Sequence, residues 1–231
     1  MERALVIDHS TLIIRRAGAV VLGALLVAGA AQLSVPLPGT PVPMTMQPMA
    51  VLLVAGLLGP QLGALSMILY LAMGAAGLPV FTPTVPLVGV ARLFGPTGGY
   101  LLAYPVAAWA TGWFSDPARK RGENPSGAWV PNHKQEVTRV SGNPGLEVGR
   151  GSVNPGLAPG VREPWLRVTI GVVVGLVLIH VGGLAQLAIL TGSISGAARL
   201  ATWPFLLGDV LKLVILVPVL TRLTPAIRAR L

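Results

Sequence analysis

Apolar residues along this chain fall in long unbroken runs rather than in the alternating or one-in-four patterns of half-buried elements. Six such runs stand out, at roughly Ala17–Val35, Gln47–Leu58, Gln61–Gly77, Gly99–Phe114, Trp165–Thr191 and Pro204–Leu220. A helix needs about 20 apolar residues to cross a hydrocarbon core of about 30 Å. The first, third and sixth runs suit that length. The second is short, with a start possible near Met44, and the fourth is short and interrupted by Pro105. The fifth is long enough to tilt, or to break near Gly182-Gly183. Gly59-Pro60, Gly77-Leu78-Pro79 and Gly95-Pro96 punctuate the pattern with turn chemistry. Pro204 is suited to the first turn of the last helix. The pattern predicts an all-α, polytopic membrane protein of six transmembrane helices.

Composition supports the same class. The 231 residues are 53% hydrophobic and 11% charged, where a soluble domain carries about 25% charged residues. Gly (29) and Pro (21) are plentiful, as they are in transmembrane helices. The chain has no cysteine, which excludes disulfides, thiolate metal sites and cysteine nucleophiles. Arg3, Arg15 and Arg16 precede the first run, as in a signal peptide, but Ala17–Val35 is long for a signal core and is expected to be a mature helix.

The formal charge of +9 is distributed between the apolar runs and at the termini, not on a basic face interleaved with aromatics, so no nucleic-acid partner is expected. With six spans, the side shared by the N-terminus, the 2–3 and 4–5 connections and the C-terminus holds 14 of the 17 Lys and Arg. The positive-inside rule then puts both termini in the cytoplasm. The segment 115–164 is rich in Pro, Gly, Asn and charge and poor in large apolar residues. Such a stretch cannot bury enough surface to offset its ordering entropy, so it is expected to be a long disordered cytoplasmic loop between helices 4 and 5 of a single transmembrane domain spanning 1–231.

The main chemical signal is Asp209 with Lys212, the acid and the Lys inside an apolar run. At i, i+3 they share one helix face. A charge at the bilayer centre costs about 2.5–3.5 kcal/mol on insertion scales, so the pair should face the bundle interior or a wet cavity. The alternative is an ion pair that only fixes helix packing. Arg92 lies on the side nearly bare of charge. It either binds an anionic ligand through its guanidinium fork or snorkels at the interface. Gly95-Pro96-Thr97-Gly98-Gly99-Tyr100 offers close backbone approach at a helix start, although a tight turn is the commoner use of such a stretch. Ala24 and Ala28, four apart, suit close packing against either an internal helix or an external partner. His180 reads as a hydrogen-bonded packing residue. No second His or acid stands at helical spacing from it, and no metal site is expected.

Pro43-Met44-Thr45-Met46-Gln47, Leu58-Gly59-Pro60-Gln61-Leu62-Gly63, Gly77-Leu78-Pro79-Val80-Phe81, the stretch Gly95 to Tyr100, and Pro204-Phe205 with Gly208-Asp209 and Lys212 together resemble the BioY family, the biotin-specific S components of energy-coupling-factor (ECF) importers. The resemblance runs over about residues 10–114 and 165–225; the 115–164 segment departs from the short connection of the family. It implies a six-helix S-component fold in the prokaryotic cytoplasmic membrane with an outward-facing biotin pocket. It further implies contacts to biotin from Asp209, Lys212 and Arg92. Gln47, Tyr70, Tyr100 and Gly98 are expected as further binding residues. It also implies an ECF transmembrane coupling subunit and two ATPases as partners, with the Ala24/Ala28 face as the expected docking surface. No cofactor and no enzymatic activity are expected. Two alternatives remain open, an S component for another water-soluble vitamin and a structural membrane subunit without a ligand.

Overall fold

A computed structural model describes residues 9–116, 164–201 and 205–229. The helices are α1 (His9–Gln32), α2 (Gln47–Leu58), α3 (Pro60–Ala75), a short α4 (Ala91–Phe94), α5 (Gly98–Phe114), α6 (Pro164–Thr191), α7 (Ile194–Ala201) and α8 (Leu206–Arg228). They form one compact unit assembled from both sides of the 117–163 segment. The expected loop is shorter at its start than the composition implied: Ser115 is buried, and Asp116 pairs with Arg228 at 3.0 Å. The rest of that expectation, including the disorder of the loop, falls outside the described residues, as does Pro204.

α1, α6 and α8 are long and apolar enough to cross a membrane; at 1.5 Å per residue they run about 35–42 Å. α2 and α3 are shorter apolar helices, of 12 and 16 residues. Two extended residues on each side, Ser34–Val35 (β1) and Met44–Thr45 (β2), pair antiparallel, a detail that the all-α reading did not contain. The interruption expected at Pro105 does not occur. Pro105, Pro218 and Pro225 lie within continuous helices, as tertiary packing in membrane bundles permits. α6 likewise passes through Gly182-Gly183 without a break.

The turn between α2 and α3 is a single residue. Gly59 adopts φ +89°, which a side chain would oppose, and Pro60 opens α3 at its first position. α3 then folds back so closely that a Cβ on Gly63 would lie 2.9 Å from the Ala55 Cα. α5 packs against α6 in the same manner, Gly99 lying against the Gly182 backbone carbonyl. Close backbone approach through small residues is how helices associate where lipid removes the hydrophobic drive.

Arg228 fastens the far end of the bundle. Its Nη2 donates to the carbonyls of Gly56 (2.8 Å) and Gly112 (3.2 Å), and its Nε to Leu57 (3.3 Å). These contacts satisfy carbonyls at the ends of α2 and α5 that have no partner within their own helix.

Ala24 and Ala28 are buried in the main core. The neighbouring Gly23 sits against Val54 of α2 and Ser66 of α3. The small-residue face of α1 is therefore used for internal packing, which corrects the expectation that it is a free docking surface. The exposed positions of α1 include large apolar residues, among them Leu22, Leu25 and Leu26. Replacing Gly63 with Leu should overpack the α2–α3 contact and cost about 1–3 kcal/mol, read as a lower thermal midpoint in detergent; an unchanged midpoint would contradict the close approach.

Candidate functional site

α8 presents two chemically different faces. Val210 and Leu211 are 57% and 60% exposed, whereas Asp209 and Lys212, interleaved with them, are each 8% exposed. The helix thus turns its aliphatic residues outward and its charges inward, as expected when lipid is the outer solvent. The charges do not meet a solid wall. They border a partly open cavity with about 570 Å³ of empty space, counting space open to solvent.

Lys212 Nζ donates to Asp209 Oδ1 at 2.8 Å. The other carboxylate oxygen, Oδ2, lies 3.1 Å from His180 Nε2 on α6. The opposite ring nitrogen, Nδ1, is 3.0 Å from the Leu176 carbonyl one turn earlier, and the Tyr100 ring meets the imidazole edge-on at 6.2 Å. Gly183 makes room for that Tyr100 ring, which occupies the space a Cβ would need. His180 is therefore more than a packing residue: it joins α6 to the acid of α8 and lines the cavity. Its partner is 29 positions away on another helix, so helical spacing could not reveal the pair.

Arg92 is 1% exposed, which excludes snorkelling. Nη1 donates to the carbonyls of Val85 and Leu87, and Nη2 to Thr82 at 2.7 Å. The guanidinium thereby gathers the 82–92 segment around itself, a task suited to its planar array of donors. Burial lowers its pKa below the ordinary guanidinium value, which starts high enough to leave it cationic. With both terminal nitrogens engaged, Nε is the guanidinium nitrogen without a partner among the described residues.

Gln47 and Tyr100 also line the cavity. Tyr70 does not. It stands behind Gln47, accepting the hydrogen bond from its Nε2 and donating to the Val80 carbonyl at 3.3 Å, so it orients a lining residue and ties down the loop. Gly98 is also absent from the wall; it lets the start of α5 pass directly beneath the Leu93 carbonyl. That carbonyl and Gly95's accept from Gln186 Nε2 at 2.9 and 2.7 Å, which holds the loop between α4 and α5 on α6. The remaining wall combines Thr45, Thr82 and Thr97 with apolar and aromatic residues, among them Val42 and Pro43 from the β1–β2 connection, Phe81, Tyr104, Ile179 and Phe205.

The fold is thus a bundle with apolar membrane-length helices beside a partly polar hollow, the form of an α-helical membrane protein. The BioY family model matches residues 5–229, and the chain belongs to the BioY family. A probable biotin transporter BioY of Pyrococcus horikoshii is 46% identical over 72 residues, 31% of this chain and 43% of that relative. Biotin transporter BioY2 of Lactococcus lactis is 43% identical over 94 residues, 41% of this chain and 50% of that relative. The matched region spans half or less of the length of these curated relatives. Among solved structures, the S-component for biotin from an ECF-type ABC transporter superposes with a TM-score of 0.66 over 92% of both chains at 21% identity, which establishes a shared fold.

Arg92→Lys keeps the charge but cannot satisfy three carbonyls in this planar arrangement. Amide hydrogen exchange in residues 82–92 should accelerate about tenfold or more, given the strength of hydrogen bonds from charged donors; unchanged protection would mean that the side chain does not hold the segment.

Proposed function

We propose that this protein captures biotin from outside the cell as the substrate-binding S component of an ECF-type importer in the prokaryotic cytoplasmic membrane. The observation that carries this reading is the Asp209–Lys212–His180 cluster, turned away from the lipid-facing side of α8 and bordering a cavity with polar and aromatic lining. Family membership and the names of the relatives support biotin as the ligand.

Biotin matches the cavity chemically. Its ureido ring offers two N–H donors and a carbonyl acceptor, and its valerate chain ends in a carboxylate. Asp209 accepts from the ureido N–H groups, with Lys212 donating to the ureido oxygen or the carboxylate. Lys212 and His180 hold the Asp209 oxygens in place, so the acid is oriented before the ligand arrives, which reduces the ordering cost of binding. Gln47 and Tyr100 supply further polar lining, and Tyr70 and Gly98 act from behind it. Arg92 favours the carboxylate by its charge and through Nε.

The six-span topology, with both termini cytoplasmic, follows from the Lys/Arg asymmetry and sets the cavity in the outer half of the membrane. α2, α3 and α5 then span as a closely packed interior group. Import against a gradient needs an energy source that these residues do not supply. An ECF transmembrane coupling subunit and two ATPases are the partners this reading calls for. Their contact surface lies elsewhere than the buried Ala24/Ala28 face.

Equilibrium binding of labelled biotin to the purified protein, without any ATPase, tests the proposal. Saturable binding is expected. Asp209→Asn should weaken it at least about tenfold, because it unbalances a buried charge pair; an unchanged Kd would remove Asp209 from the site.

A further inference from the structure

Thr97 is the residue before α5, the position where a threonine hydroxyl normally accepts from a backbone N–H in the first helical turn. Here it makes no such bond. The residue is 8% exposed, and Oγ1 is buried with no hydrogen-bond partner among the described residues. A buried hydroxyl left unpaired is a cost that proteins usually avoid. Arg92 carries a second such group, Nε, on a side chain that is 1% exposed. Both residues line the same cavity. The third buried unpartnered side-chain atom among the described residues, Ser115 Oγ, is not part of that wall.

The two unpaired groups share one capability. Nε–H can only donate, and a threonine hydroxyl can rotate to donate. The surrounding fold holds both in place. Nη1 and Nη2 of Arg92 are committed to the carbonyls of Thr82, Val85 and Leu87, and the 93–95 backbone is bound to Gln186. We propose that Thr97 Oγ1 supplies a further donor to the ligand carboxylate, alongside the Arg92 Nε already assigned to it, and that Thr97 is a specificity-determining residue. This rests on the biotin reading above and extends it. Asp209 selects the N–H donors of the ring, and the donor pair on the 82–97 segment selects an acceptor at the other end of the molecule. A ligand with the same ring and no anionic end would leave the hydroxyl and Nε unpaired, which is how a polar site rejects an analogue lacking the matching group.

The test compares biotin with its alcohol analogue, in which the carboxylate is reduced, on the full-length wild type and on Thr97→Val and Thr97→Ser. Thr97→Val keeps the shape and removes the hydroxyl; Thr97→Ser keeps the hydroxyl. For biotin, Thr97→Val should raise the Kd about tenfold, as expected for a hydrogen bond to a charged group, while Thr97→Ser stays within about threefold of wild type. For the alcohol, Thr97→Val should change the Kd less than about threefold. Equal losses on both ligands would overturn the proposal, because the hydroxyl would then not be reading the carboxylate. So would unaltered biotin binding by Thr97→Val. A wild type that binds neither ligand would overturn the biotin reading itself, and this inference with it.

Discussion

The placement of one carboxylate organises this structure. Asp209 sits in a helix whose adjacent residues Val210 and Leu211 face outward, so its own face must supply everything that water would otherwise provide. Lys212 engages one oxygen and His180 the other. An ionised group with few partners is not tolerated in a low-dielectric interior, and removing one member of a buried pair is generally more damaging than replacing the whole pair with apolar residues. The cluster is therefore a poor source of stability and a good means of holding an acceptor in a fixed orientation beside a cavity.

The rest of the bundle serves that placement through close helix contacts. Gly99 against Gly182 brings α5 onto α6, which puts the Tyr100 ring beside His180. Gln186, one turn further along α6, anchors the backbone that leads into α5. The 82–92 segment has no regular ladder of its own and is held largely by the Arg92 guanidinium. The cavity wall is thus formed by elements that meet edge to edge, with polar side chains bonding to loop carbonyls where no helix partner exists.

Much of this was legible in the sequence because membrane chemistry leaves strong marks. Long apolar runs gave four helices to within two residues, Gln47–Leu58 in full and Gly98–Phe114 to one residue, whereas α1 starts at His9 and α8 continues to Arg228, well beyond the runs at Ala17–Val35 and Pro204–Leu220. The cost of intramembrane charge marked Asp209 and Lys212 as inward-facing. Contacts between residues distant in the chain were not legible. His180 and Asp209 meet across two helices, and Arg92 bonds mainly to carbonyl groups, which carry no sequence signal. The spacing of Ala24 and Ala28 indicated close packing but not against what, and burial assigns that contact to the interior. Tyr70 and Gly98, expected as binding residues, stand behind the wall rather than on it. Thr97, part of the quoted stretch before α5, gave no signal of its own; its unpaired hydroxyl is a property of the folded backbone.

Asp209, Lys212 and His180 are, on this account, retained for ligand capture rather than for folding. The most direct measurement replaces the charged pair as a unit, Asp209→Leu with Lys212→Met, and records thermal stability and biotin affinity on the same preparation. The account predicts a thermal midpoint equal to or above that of the parent protein and no measurable biotin binding. A protein that loses its fold, or one that still binds biotin with the parent affinity, would contradict it.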